Sequence, residues 1–223
     1  MTNNENMKVE DMKKIIKNYE YIFIGEIHGT KEIPEKVEQL LNKILDNEKI
    51  IFCLELPKQA EKYLQNYFNN IINNNELFSY EILADAIKDN RLNSHIIKLC
   101  KKLFEAGHII KCLENCDNEN PYERDKEMAS TFLEITNNYK ADKYIIYVGN
   151  IHIIDCPIKI NDFNINPIKN FLPKNTINKI LTIDFNKCDK ENITFDKIKN
   201  TITYNLIITE IKAKKIDIKK LRH

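Results

Sequence analysis

Glycine is scarce in this chain, four residues in 223, and the scarcity excludes several activities at once. There is no glycine-rich loop to cradle phosphates, no nucleophile elbow and no zinc-protease helix motif, which disfavours nucleotide-dependent chemistry. Net charge is equally small: 34 Lys and Arg against 33 Asp and Glu leave +1, too little to gather nucleic acid or a membrane surface. Neither an apolar signal-peptide core nor a run of ~20 apolar residues appears. The expectation is a cytoplasmic protein without a nucleic-acid or membrane partner. Its six cysteines are then expected to stay reduced. Cys53 lies in an apolar run and reads as a buried thiol, while Cys112 and Cys116 lack the second nearby Cys or His pair that a structural zinc site needs.

What the chain does contain is 43% hydrophobic and 30% charged residues, enough to build one sizeable core. A single α/β domain over residues 1–223 is expected, because apolar runs and helical patterns alternate through the first two thirds, as in βα units of a mostly parallel sheet flanked by helices. Four buried strands are predicted at Tyr21-Ile22-Phe23-Ile24, 50–54, 109–113 and 144–148, each rich in β-branched or aromatic residues. Between the first two, Ile33, Val37, Leu40, Leu41, Ile44 and Leu45 recur at helical steps over 31–46. Patterns at 58–73, 76–88 and 92–106 predict a helical insertion over about 57–106, the last helix closed by Gly107. The Asn-rich stretch 66–75 reads as a frayed helix end. Residues 121–137 predict a further helix, with early acids and a Met128, Phe132, Leu133, Ile135 face. A loop-rich region marked by Pro157, Pro167 and Pro173 follows, with strands at 179–185 and 202–209 and a Lys-rich solvated helix or tail at the C-terminus.

Two strand ends match. Gly25-Glu26-Ile27-His28 and Gly149-Asn150-Ile151-His152 each leave a predicted parallel strand at its carboxyl end, the edge where open α/β sheets bind ligands. Glycine permits a sharp turn or a close approach there, and the histidine can then project over the edge. Glu26 and His28, two apart, project to one side in extended backbone, which suits a carboxylate tuning an imidazole. Glu55 ends the second strand, where a buried acid needs a partner, and Arg124 opens the helix before the second motif, with Asp125 beside it. Acid, base and cation thus converge from four segments, the composition of a functional site. Only an amide, Asn150, stands where Glu26 accompanies His28, which makes His28 the expected base and His152 the supporting group. His95, His108 and His223 are explained by packing, capping or a mobile end.

In this order the residues resemble the superfamily that groups erythromycin-esterase-like hydrolases, ChaN-type haem-binding proteins, and the Tiki and TraB proteins. Ile24-Gly25-Glu26-Ile27-His28-Gly29-Thr30-Lys31-Glu32 is similar to the opening signature of the esterase-like branch, and Leu54-Glu55 to its strand-end acid. Arg124-Asp125-Lys126-Glu127-Met128-Ala129 resembles the Arg-Asp-x-x-Met-Ala helix of the esterase and ChaN branches. Gly149-Asn150-Ile151-His152 supplies the closing histidine, and the twin Gly-x-x-His motifs also resemble the Tiki and TraB branch. The match covers residues from about 20 to 155.

The constellation itself suggests hydrolysis of an ester, lactone or peptide bond in a small-molecule or peptide substrate. His28 would activate water, Glu26 or Glu55 would hold its tautomer, and Arg124 and His152 would meet the developing charge. A metal-free site is the first expectation, since Arg124 would repel a cation; the esterase branch implies the same. Mn²⁺, Fe²⁺ or Zn²⁺ on His28, Glu26, Glu55 and His152 is the alternative, as the metal-dependent Tiki branch implies. The ChaN branch implies a haem carrier with His or Tyr as axial ligands. Substrate identity and oligomeric state are not written in the sequence.

Overall fold

The computed structural model describes residue 7 and residues 9–45, 47–115, 121–160, 163–189 and 191–208. Among the described residues nine strands run in chain order as β1 (Tyr21–Glu26), β2 (Ile50–Pro57), β3 (Ile109–Glu114), β4 (Lys143–Gly149), β5 (Ile158–Ile160), β6 (Phe163–Ile165), β7 (Ile180–Lys187), β8 (Asn192–Asp196) and β9 (Thr201–Leu206). The helices are α1 (Val9–Ile16), α2 (Glu32–Ile44), α3 (Glu61–Phe68), α4 (Asn74–Leu77), α5 (Ala84–Lys88), α6 (Ser94–Glu105), α7 (Pro121–Asn138) and α8 (Lys174–Ile177), with short 3₁₀ turns between some of them. Seven strands form one sheet in the order β3-β2-β4-β1-β7-β9-β8, parallel except for the antiparallel edge pair β8–β9, and β5 and β6 form a separate hairpin. The α/β class expected from the sequence is the one observed.

Alternation along each strand sorts side chains onto two faces. Ile22, Ile24, Phe52, Leu54, Ile145 and Tyr147 pack against the face carrying α1, α2, α3 and α6. Tyr21, Phe23, Ile51, Cys53, Ile146 and Val148 pack on the other, against Met128, Phe132 and Ile135 of α7. There Phe132 meets Tyr21 and Phe23 edge-on, with ring centroids 5.4 and 5.6 Å apart, the geometry that ring quadrupoles favour. With both faces covered, strands can be apolar along their length, which is why they read as unbroken hydrophobic runs.

The topology explains where a site forms. β1 and β4 are neighbours, yet the chain leaves β1 for β2, beyond β4, and leaves β4 for β7, beyond β1. Connections diverging from adjacent strands open a crevice at the carboxyl edge. The register then aligns the two motifs, because Gly25 lies opposite Val148 and Glu26 opposite Gly149.

The structure departs from the periodicity in the insertion. The pattern over 58–73 stops at Phe68, and Asn70 turns with φ +58. Asn73 then opens α4 through a capping box, accepting from the Glu76 N–H while the Glu76 carboxylate accepts from the Asn73 N–H. The Asn-rich stretch is therefore a helix stop and a helix start rather than a frayed end, since Asn tolerates left-handed backbone and caps well. The pattern over 76–88 is divided between α4, a 3₁₀ turn at Glu81–Leu83 and α5. The region around Pro157 and Pro167 holds the β5–β6 hairpin, and β8 lies where no strand is predicted. Cys116, His223 and the Lys-rich C-terminus lie outside the described residues.

Candidate functional site

Glu26 has the same parity as Ile22 and Ile24, so the apolar series of β1 ends by turning an acid toward the α2/α6 face. It is 3% exposed. Its Oε1 lies 2.8 Å from His28 Nδ1, and its Oε2 accepts a hydrogen bond from the buried Tyr147 hydroxyl. Burial pushes the Glu26 carboxyl up, more than the His28 and Tyr147 hydrogen bonds pull it down. For His28, burial would lower the pKa, but the hydrogen bond to Glu26 and the charge of Glu55 outweigh it and the net shift is upward. His28 keeps 28% of its side chain exposed, and its Nε2 stands 3.8 Å from Glu55 Oε2.

Glu55 is the hub. Oε2 accepts from the Gly149 N–H at 2.8 Å; Oε1 accepts from Arg124 at 2.5 Å and lies 3.4 Å from His152 Nε2 and 4.0 Å from Arg91. Burial opposes ionisation, but His152, Arg124 and His28 prevail and hold the carboxyl well below the usual carboxylate range. His152, 4% exposed, has its Nδ1 2.7 Å from Asp125 Oδ1. Burial would lower this imidazole too, yet Glu55 and Asp125 raise it to about 9. A second layer completes the network: Glu114, ending β3, accepts from Arg91 at 2.7 and 2.8 Å and from Arg124 Nε at 2.6 Å, and Arg91 also pairs with Asp89 at 2.7 Å.

Both motif glycines are required by close approach. A Cβ on Gly149 would lie 2.8 Å from His28 Nε2, and one on Gly25 would lie 2.3 Å from the Ile153 side chain and 2.5 Å from Asn150 Oδ1. Beside the network is a cleft of about 600 Å³. Glu114 and Arg124 line it together with Glu81, Ile82, Asp85 and Arg91 of the insertion.

No protein-family model matches the chain, and neither does any curated protein. Solved structures do. The type III effector HopBA1 superposes with a TM-score of 0.63 at 11% identity, over 93% of this chain and 98% of its own. ChaN of Campylobacter jejuni, described with cofacial haem binding, gives 0.54 at 13% identity, over 90% of this chain and 93% of its own. The chain shares the fold of ChaN. The C-terminal region of Pasteurella multocida toxin, described as carrying a thiol-protease-like catalytic triad, gives 0.55 at 12% identity; the match spans 92% of this chain and 28% of that one. At such identities the likeness is one of fold.

Within the ChaN-like fold, Glu26, His28, Glu55, Arg124 and His152 come together through β1, β2, β4 and α7. One expectation is corrected: the second imidazole is not flanked by an amide alone, because α7 brings Asp125 to it, while Asn150 turns away and donates to the Phe185 carbonyl at 2.9 Å. Tyr147, Arg91 and Glu114 were not singled out from sequence. Glu114 carried a signal, as an acid ending a buried strand just as Glu55 does. Tyr147 reads only as an apolar strand residue, and Arg91 lies in a loop whose direction no local pattern specifies.

Among the described residues no group of three or more His, Cys, Asp and Glu is arranged to hold a metal ion. Both oxygens of Glu26 and both of Glu55 already have protein partners, and the Arg124 guanidinium bridges Glu55 and Glu114. These residues do not fit a metal cage in this arrangement. For haem, His28 presents a partly exposed ring as a candidate axial ligand, and the neighbouring cleft combines the apolar Pro57, Ile82 and Ala86 with charged residues. Among the described residues no helix is long and apolar enough to cross a membrane.

Proposed function

We propose that the site hydrolyses an ester, lactone or peptide bond in a small-molecule or peptide substrate entering by the insertion-lined cleft. The observation that carries this reading is the state of His28: Nδ1 is committed to Glu26 while Nε2 belongs to the most exposed ring in the network. An imidazole that donates from Nδ1 to a carboxylate keeps its lone pair on Nε2, the arrangement a general base needs. Water attacks the carbonyl carbon as Nε2 takes its proton, and the same proton passes to the leaving oxygen or nitrogen when the C–O or C–N bond breaks. Arg124, one-third exposed, meets the oxyanion, while the buried His152 imidazolium keeps Glu55 ionised and fixed.

Replacing His28 by Ala is expected to lower turnover by a factor of about a hundred or more while the fold persists. Steady-state kinetics on an ester and peptide panel, with circular dichroism as the fold control, measures this, and a fully active variant overturns the assignment. The shared fold with a haem-binding protein favours a second reading, haem carriage through His28 or a tyrosine. A spectral titration with no haem-dependent shift removes it.

A further inference from the structure

Tyr147 is fully buried in the centre of the sheet, its ring packed on Phe52 with centroids 5.5 Å apart. Among the described residues its hydroxyl has one partner, Glu26 Oε2. A buried phenol placed for packing alone leaves its hydroxyl as a cost; here the hydroxyl sits on the carboxylate that sets the tautomer of His28. We infer that Tyr147 is a positioning residue for the proposed base: its hydrogen bond holds Glu26 ionised and aimed at Nδ1, so that His28 presents an unprotonated Nε2. The inference rests on the reading of His28 as base.

Each oxygen of Glu26 has a distinct partner, His28 Nδ1 for Oε1 and the Tyr147 hydroxyl, which donates, for Oε2. Burial works against the charge on Glu26. Glu55, close enough to raise it further, adds like-charge repulsion, and the Cys100 thiol of α6 is the other titratable group nearby. Removing the phenolic donor takes the hydrogen bond from Oε2 and leaves the His28 contacts alone to oppose the desolvation of the carboxylate. Glu26 then takes up a proton and donates it to Nδ1, which places the imidazole proton on Nε2 and removes the base. His28 also loses its carboxylate partner and retains only Glu55 and Asp89 as nearby charges, so its pKa falls. A purely structural tyrosine would change neither the tautomer nor the titration.

The test is Tyr147→Phe, which retains the ring and its packing, in the full ¹⁵N-labelled chain. Long-range ¹H–¹⁵N spectra assigned by comparison with His28→Ala report the tautomer and pKa of His28. The expected result is Nδ1–H in the parent and Nε2–H in Tyr147→Phe, with a lower His28 pKa. Turnover is expected to fall by about a hundredfold, as for His28→Ala, because the switched tautomer leaves no lone pair on Nε2. An unchanged tautomer and titration in a folded Tyr147→Phe overturns the inference. If the tautomer switches while His28→Ala remains fully active, Tyr147 positions His28 as stated and the hydrolytic reading fails instead.

Discussion

The charge state of His152 offers the most direct quantitative check on the network. Its imidazole lies between Asp125 Oδ1 at 2.7 Å and Glu55 Oε1 at 3.4 Å. These carboxylates overcome desolvation and raise the group from 6.5 to about 9, which corresponds to about 3 kcal/mol favouring the imidazolium. A pKa higher in the folded than in the unfolded state stabilises the fold fully below 6.5, and the contribution fades as pH rises, disappearing above about 9. The chain is therefore expected to lose about 3 kcal/mol of stability between pH 6.5 and 9 from this group. Glu55→Gln retains the size and an acceptor for the Gly149 N–H but removes the nearest charge from Nε2. In that variant the His152 titration moves down and the alkaline loss of stability shrinks, while stability at pH 7 drops by about 3 kcal/mol as a buried ion-pair partner is removed. The acid side changes as well. Glu55 is held ionised far below its ordinary 4.5, so its contribution is present above 4.5 and is lost as pH falls, and Glu55→Gln lacks this acid sensitivity. Urea unfolding from pH 4 to 10, with histidine NMR to separate His152 from His28, measures both arms. A parent chain whose stability is flat from pH 7 to 9, with His152 titrating near 6.5, refutes the reasoning.

Two further outcomes follow from the geometry. Gly149→Ala places a methyl group 2.8 Å from His28 Nε2; displacing the ring is expected to cost about 1–3 kcal/mol and to abolish most turnover, read by chemical denaturation and kinetics on one preparation. Turnover in the parent is expected to be bell-shaped with pH, because the rate rises as His28 loses its proton and falls as His152 loses the charge that orders Glu55. The first limb lies above the ordinary histidine value and the second near pH 9. A single limb centred at 6.5 contradicts the assignment of both histidines.

Strands, crossover helix and strand-end motifs were legible in the sequence because all three are local: a doubly covered strand must be apolar throughout, and a helix must repeat its apolar face every three or four residues. So was the pairing of Glu26 with His28, since residues two apart in extended backbone share a side. The insertion was less legible because Asn serves equally to stop one helix and start the next, and periodicity does not record where a cap falls. What only the tertiary structure decided is which strands are neighbours. The order β3-β2-β4-β1-β7-β9-β8 sets β1 beside β4 in a register that levels the two motifs, lets the ring of Tyr147 reach Glu26, and carries α7 over the opposite face so that Asp125 and Arg124 reach His152 and Glu55. Those contacts join residues about 30 to 120 positions apart. They are fixed by which faces must be buried together, a property of the packed sheet that no single stretch of sequence contains.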